Sequence, residues 1–318
     1  MGIFYEDAKD RKRKKARRKS KGWIGILALL VISGSIYWNL DERILNSNFI
    51  NNVLDAGKKF VISNSDNHKS ISDSEYVYGT LYEQIIEFNT YIKINASFRT
   101  QITSDDINTQ YHKVIMDNPD IFWLTGGATI QTITSGASKT YLYDLNTSCD
   151  MNLVPIMKKK LDQVVNDIVF EARKYTSDYD KALYVHDVLV STCKYDESVY
   201  YTSLFDTDTD LNTMAYSAYG CLVEHKAVCS GYAKAYQLIM NKLGIETGFV
   251  SGEGITSLDT GPHAWNYIKI DGNYCYVDVT WDDPVGYNSN EIRHDYFCIS
   301  KDEISKDHIF DYDQFIPE

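Results

Sequence analysis

The dipeptide Asp271-Gly272, set between the β-rich runs GPHAWNYIKI and NYCYVDV, is the feature that most restricts this chain's fold. A two-residue Asp-Gly turn joins antiparallel strands in a type I′ hairpin, and the turn length fixes which residues face each other. With Ile270 opposite Asn273, Trp265 falls opposite Asp278 and His263 opposite Thr280. His263 and Asp278 are then diagonal neighbours on one face, about 7–8 Å apart at the backbone, so a carboxylate can reach an imidazole N–H. A slip of one residue would separate them onto opposite faces.

Upstream lies KAVCSGYAKAYQLIMNKLG, in which Tyr232, Ala235, Ile239 and Leu243 recur at helical spacing and Gly244 supplies a terminator. Cys229 falls at the helix N-terminus, where unpaired N–H groups and the helix dipole favour a thiolate over a thiol. The next run, IETGFVSG, reads as a strand. A cysteine at a helix start, with a histidine and an aspartate paired on a later hairpin, is the residue set of cysteine nucleophile chemistry.

The remaining elements are read from periodicity. From Glu75, Leu81, Ile85, Phe88 and Ile92 recur helically, and Ser104 before Asp105-Asp106 looks like the N-cap of a helix through Met116 that Asn118-Pro119 ends. IFWL, ATIQTIT and KTYLYDL, the last two separated by Ser135-Gly136-Ala137, form a strand or hairpin region. Pro155 opens a helix with the stripe Met157, Leu161, Val164, Ile168 and Ala172, and a further helix after Asp178 carries Ala182, Val185 and Leu189. His186 on that helix reads as a structural side chain. Asp282 and Asp283, just before Pro284, read as turn residues.

The net charge of −12 is unevenly spread: ten basic and three acidic residues precede residue 22, leaving 22 basic and 41 acidic residues behind them. An acidic body repels phosphate backbones, so no nucleic acid partner is expected. Gly22 to Leu40 is a 19-residue stretch without a charge, flanked by Trp23 on one side and Tyr37-Trp38 on the other. As a helix it would cross a hydrocarbon layer of about 30 Å. The basic run before it keeps the N-terminus cytoplasmic and exports the chain beyond residue 40. A cleaved signal peptide, ending near Ser33-Gly34-Ser35, is the alternative and exports the same body.

KAVCSGYA, GPHAWNYIKIDG and YVDVTWDDP, in that order, resemble the three motifs of bacterial transglutaminase-like proteins, over roughly residues 155 to 300, and RHDYFCIS resembles the family's closing strand. The resemblance implies an α+β, papain-like core in which a nucleophile helix packs on an antiparallel sheet. It implies Cys229 as nucleophile, His263 as general base and acid, and Asp278 as the orienting carboxylate. Trp265 and Tyr232 are the groove candidates. The expected organisation is a cytoplasmic basic tail (1–21), a transmembrane helix (22–40), a flexible linker (41–74), an N-terminal α/β extension (75–150) and the transglutaminase-like domain (151–318).

The implied activity is acyl transfer on protein, peptide or cell-wall amides outside the membrane, ending in crosslinking or hydrolysis, and an inactive envelope scaffold or binding module is the alternative. No cofactor is implied, since no Gly-rich phosphate loop stands out. Cys221, His225 and Cys229 at four-residue intervals, with His263, offer zinc-ligand types, but no CxxC pair accompanies them and no metal is expected. Six cysteines in an exported chain permit disulfides, and Cys149, Cys193, Cys221, Cys275 and Cys298 stay unassigned.

Overall fold

The first element in the computed structural model, helix α1 (Asp73–Ile86), starts where Ser72 caps it: its hydroxyl accepts from the Glu75 N–H while the Glu75 carboxylate accepts from the Ser72 N–H. The structure describes residues 72–96, 101–136, 138–199, 213–257, 260–283, 292–311 and 316–317. The basic tail, the Gly22–Leu40 run and nearly all of the linker lie outside these residues. Among the described residues no helix is long and apolar enough to cross a membrane.

Leu81 and Ile85 are buried on α1, but the helix stops at Ile86. Phe88 takes a positive φ of 63°, and Ile92 belongs to strand β1 (Tyr91–Asn95), so the helical spacing expected through Ile92 joins two elements. Helix α2 (Ser104–Asp117) begins one residue earlier than Ser104 as N-cap would allow, because Thr103 forms the capping box with Asp106. Asn118 ends it. Strands β2 (Leu124–Ser135) and β3 (Ser138–Thr147) form the expected hairpin, and β1 adds to β3, giving the order β1-β3-β2.

Helix α3 (Val154–Ala172) buries Leu161, Val165, Val169 and Ala172. Its inward stripe runs one residue later than Val164 and Ile168, which flank it half-buried. Helix α4 (Asp178–Thr192) buries Ala182, Val185, His186 and Leu189. Two short strands, β4 (Lys194–Tyr195) and β5 (Lys226–Ala227), pair in parallel and lead into helix α5 (Cys229–Leu243). Gly244 closes α5 with φ 79°, a left-handed cap that costs glycine no steric strain.

Helix α5 is buried on nearly every side, including Ala233, Tyr236, Gln237, Leu238 and Met240 as well as the expected Tyr232, Ala235 and Ile239. It is enclosed by helices on one side and the second sheet on the other. That sheet has β6 (Thr247–Ile255), β7 (Thr260–Ile270), β8 (Asn273–Val277) and β9 (His308–Phe310) in the order β8-β7-β6-β9, all neighbours antiparallel. Asn266 on β7 ties sheet to helix, its amide donating to the Ala233 carbonyl at 3.1 Å and to the Gly248 carbonyl at 3.1 Å. The hairpin pairs Ile270 with Asn273 and Asn266 with Val277, the register expected from the turn. Asp271 and Gly272 have φ of 51° and 84°, as a type I′ turn requires.

The 75–150 extension and the rest of the described chain share one core: Phe122 packs on Tyr219 with ring centres 4.7 Å apart, and Gln237 donates to the Met116 carbonyl. RHDYFCIS makes only a single bridge, Tyr276 with Ile299, rather than a full strand. Cys298 has φ 53°, which breaks an extended run. A disulfide from Cys275 to Cys298 fastens the segment to β8 instead, and a short helix α6 (Lys301–Ile304) carries the chain to β9.

The two cysteines of that bond are 23 positions apart in the sequence. Closing a loop of this size stabilises the fold by about 3 kcal/mol in the chain-entropy account. The double variant Cys275→Ala/Cys298→Ala is expected to lose that much in urea unfolding, with a steeper denaturation slope because the unfolded chain is released from its crosslink.

Candidate active site

Cys229 opens α5 directly after Val228, which supplies no side-chain cap, while the Val228 carbonyl accepts from the Gly231 and Tyr232 N–H groups at 2.9 Å and 3.2 Å. The cysteine is half-buried. The strand pair beneath it sets its place: Val228 N–H donates to the Ala215 carbonyl at 3.0 Å, and Asp196 N–H to the Ala227 carbonyl at 2.8 Å. Gly231, one helical step on, sits where a Cβ would fall 2.4 Å from the Ala215 carbonyl oxygen, so the helix start lies directly on the segment before it.

His263 comes from β7, its Nε2 meets Asp278 Oδ2 at 2.6 Å, and the Cys229 side chain is near enough to the ring to favour its protonated form. The ladder itself ends at Val277. Asp278 leaves it to donate its N–H to the Tyr296 carbonyl at 2.9 Å, yet its side chain stays on the face expected from the hairpin. Both carboxylate oxygens are occupied: Oδ1 accepts from the Thr280 N–H at 3.0 Å and the Trp281 N–H at 3.3 Å, and Oδ2 lies 3.1 Å from His308 Nε2 as well as against His263. A buried carboxylate held by this many donors is a fixed negative charge.

The two charges reinforce each other. Burial disfavours an ionised His263, but attraction to Asp278, their hydrogen bond and the Cys229 sulfur outweigh it, raising the imidazole to about 10. Burial likewise opposes charge on Asp278, and His263 with His308 overcomes it, holding the carboxyl well below the usual range.

Glycines make room for this cluster. Gly252 on β6 lies opposite His263, and Gly254 lies opposite both Gly261 and His308. A Cβ on Gly254 would fall 2.8 Å from Trp281 Cζ2 and 3.3 Å from His263 Cγ. Trp281 therefore packs across β6, its ring 5.2 Å from that of His263 and 4.3 Å from that of His308. Beside them opens a crevice of about 530 Å³, lined among others by Gly254, Pro262, His263, Trp281, Tyr296 and Asp307.

The structure thus brings together Cys229, His263 and Asp278 from a helix start and one hairpin. Trp265 and Tyr232 are fully buried and do not line the crevice: Trp265 packs against Phe310 and His308, and Tyr232 donates its hydroxyl to Asp283 at 2.7 Å. Trp281 and Tyr296 take the wall positions. Asp282 and Asp283 do shape a turn, with Asp283 N–H donating to the Thr280 carbonyl, but Asp282 is also a buried partner of His186 at 3.1 Å. His308 is a site residue that periodicity and motif spacing do not reveal. Its Nε2 contacts Asp278, its Nδ1 lies 2.7 Å from Asp307, and Asp307 accepts from the Tyr296 hydroxyl at 2.7 Å. The only signal for it in the sequence is a histidine beside an aspartate in a short β-like run.

Residues 165–279 match the family described as the transglutaminase-like superfamily. Among solved structures, a TGase aligns with 72% of this chain and 55% of its own, at 15% identity and a TM-score of 0.35. A Cytophaga hutchinsonii protein proposed as a cysteine protease aligns with 49% of this chain and 63% of its own, at 16% identity and a TM-score of 0.29. A Parabacteroides distasonis protein proposed as a protease covers 48% and 36%, at 9% identity and a TM-score of 0.27. This chain spans less than two thirds of each of them. Comparison with curated proteins gives no match.

His263 stands above the value of about 6.5 for an unfolded imidazole, so its pairing stabilises the fold fully below that pH and fades as pH climbs toward 10. In an NMR titration His263 is expected to keep its proton through neutral pH and to lose it near 10. Asp278→Asn should move that midpoint down; an unmoved midpoint would show that Asp278 does not hold the proton.

Proposed function

We propose that the chain is a membrane-anchored, extracytoplasmic cysteine acyl-transfer enzyme acting on protein, peptide or cell-wall amides through Cys229, His263 and Asp278. The observation that carries the reading is His263 lining an open crevice and paired with the buried Asp278 carboxylate at 2.6 Å, with Cys229 near enough to favour the protonated ring. An imidazolium next to a sulfur favours the charged nucleophile, and the helix start adds its dipole in the same sense.

In the first step Sγ forms a bond to the amide carbonyl carbon. The carbonyl electron pair moves onto oxygen, where the Cys229 N–H at the uncapped helix start is the natural donor. As the pair returns, the C–N bond breaks, His263 gives its proton to the departing amine and a thioester remains. In the second step water or a primary amine attacks the thioester, His263 takes the incoming proton, and Sγ leaves. Water yields hydrolysis; an amine yields a crosslink. Asp278 stays ionised throughout and keeps the imidazole turned toward sulfur.

Three features support the cellular placement: the uncharged Gly22–Leu40 run, the basic residues before it and the Cys275–Cys298 disulfide, a bond favoured in oxidising compartments.

The test is an intact-mass comparison of full-length wild type and Cys229→Ala incubated with a glutamine-containing peptide library and a primary amine donor. Wild type is expected to give amine-bearing or cleaved peptides and Cys229→Ala to lose that turnover by at least about a thousandfold, in line with removal of a covalent nucleophile. Equal product from both proteins, or none from wild type together with no labelling of Cys229 by an electrophilic amide probe, would remove the enzymatic reading in favour of a scaffold.

A further inference from the structure

We propose that His186, Asp187 and His294 form a binding site for a divalent transition metal ion, zinc being the ion their chemistry suits, and that the ion fastens helix α4 to the segment forming one wall of the crevice. This site is separate from Cys229 and from the cysteine–histidine spacing around residues 221–229.

The three side chains converge from distant parts of the chain. Asp187 Oδ1 lies 3.1 Å from His186 Nδ1 and 2.7 Å from His294 Nε2, and all three atoms fall within 4.8 Å of one another. A tetrahedral zinc with bonds of about 2.0–2.1 Å holds its ligand atoms about 3.3 Å apart, close to the two Asp187 separations, and the exposed His294 can adjust to meet the buried His186. Two imidazole nitrogens and one carboxylate oxygen match zinc rather than calcium or magnesium, which take oxygen. Side-chain exposure of 34% at Asp187 and 41% at His294 leaves room for water as a fourth ligand, while His186 is fully buried.

The outer contacts are those a metal-binding histidine needs. His186 Nε2, the nitrogen turned away from the proposed ion, lies 3.1 Å from Asp282 Oδ2, and that carboxylate is completely buried. Asp282 is itself fixed by the Tyr296 N–H, 3.1 Å and 3.2 Å from its two oxygens. A carboxylate on the far nitrogen sets ring orientation and leaves Nδ1 as the ligand. Two carboxylates and two imidazoles around one point are balanced by a single divalent cation.

The other three-residue group, His263 with Asp278 and His308, is a poorer ligand set. All three are buried, Asp278 already uses both oxygens, and His263 faces Cys229. An ion at His294 has a defined mechanical consequence, because Arg293 and Tyr296 on the same segment line the crevice.

The experiment uses metal-stripped full-length protein titrated with Co²⁺ as a spectroscopic probe, then with Zn²⁺ in competition. The expected result is one high-intensity tetrahedral cobalt spectrum per chain, displaced by zinc, and a zinc-dependent rise in Tm. His294→Ala, at an exposed position, and Asp187→Asn should each weaken binding at least about a hundredfold, and Asp282→Asn about 10–100-fold, the usual cost of an outer partner. His263→Ala should leave the spectrum intact. No stoichiometric cobalt binding, a spectrum that survives in both His294→Ala and Asp187→Asn, or one lost in His263→Ala would each overturn the proposal.

Discussion

The Asp278 carboxylate is the point on which this structure turns. A buried negative charge is tolerated only when its lone pairs are filled, and here two backbone N–H groups and two histidines fill them. Each donor belongs to a different piece of architecture. The N–H groups come from the turn after β8, His263 from β7 and His308 from β9 at the sheet's far edge. Satisfying one carboxylate therefore fixes the turn, the order β8-β7-β6-β9 and the ring that faces sulfur. A sheet edge and a reactive cysteine become parts of one electrostatic arrangement.

Glycine at two positions of β6 permits it. In an antiparallel sheet the strand between β7 and β9 would ordinarily raise side chains between His263 and His308. Gly252 and Gly254 raise none, and the space is filled by Trp265 and Trp281. These rings exclude water from the carboxylate, which strengthens its hold on the imidazole. They also explain why Trp265, a groove candidate by sequence, lies in the core. The ring is needed to wall off the charge pair from below, and the neighbouring Trp281 is left to face the crevice.

What is legible in the sequence is what is local. Asp271-Gly272 dictates a turn, alternation dictates which residues point the same way, and together they place His263 beside Asp278 from the order of residues alone. The start of α5 is equally readable, because Gly244 ends the helix and the apolar spacing counts back to Cys229. Stripe details are less so: Val165 and Val169, rather than Val164 and Ile168, face inward because α3 packs against more than one neighbour. The partners of buried polar groups are not readable at all. His186 and Asp282 are 96 residues apart, and His308 and Asp278 are 30 apart, with no periodicity linking either pair. Asp282 in particular looks like a turn residue because it is one; its second role depends on where α4 comes to rest.

The aspartates at 278 and 282 belong to the same short stretch yet face different histidines. Asp278 points into the sheet toward His263 and His308, and Asp282 points across to α4 and His186. Between them sits Trp281, whose N–H binds Asp278 and whose ring lies against His263. A turn pinned at both ends by buried carboxylates has little freedom to move Trp281. Any shift of α4 relative to the sheet must be absorbed there, directly against the imidazole. Tyr296 binds both systems, its N–H on Asp282 and its hydroxyl on Asp307, which in turn holds His308. The two histidine clusters are thus joined through one turn and one tyrosine. The geometry of the crevice wall and the orientation of the ring beside Cys229 are consequently set by the same few hydrogen bonds.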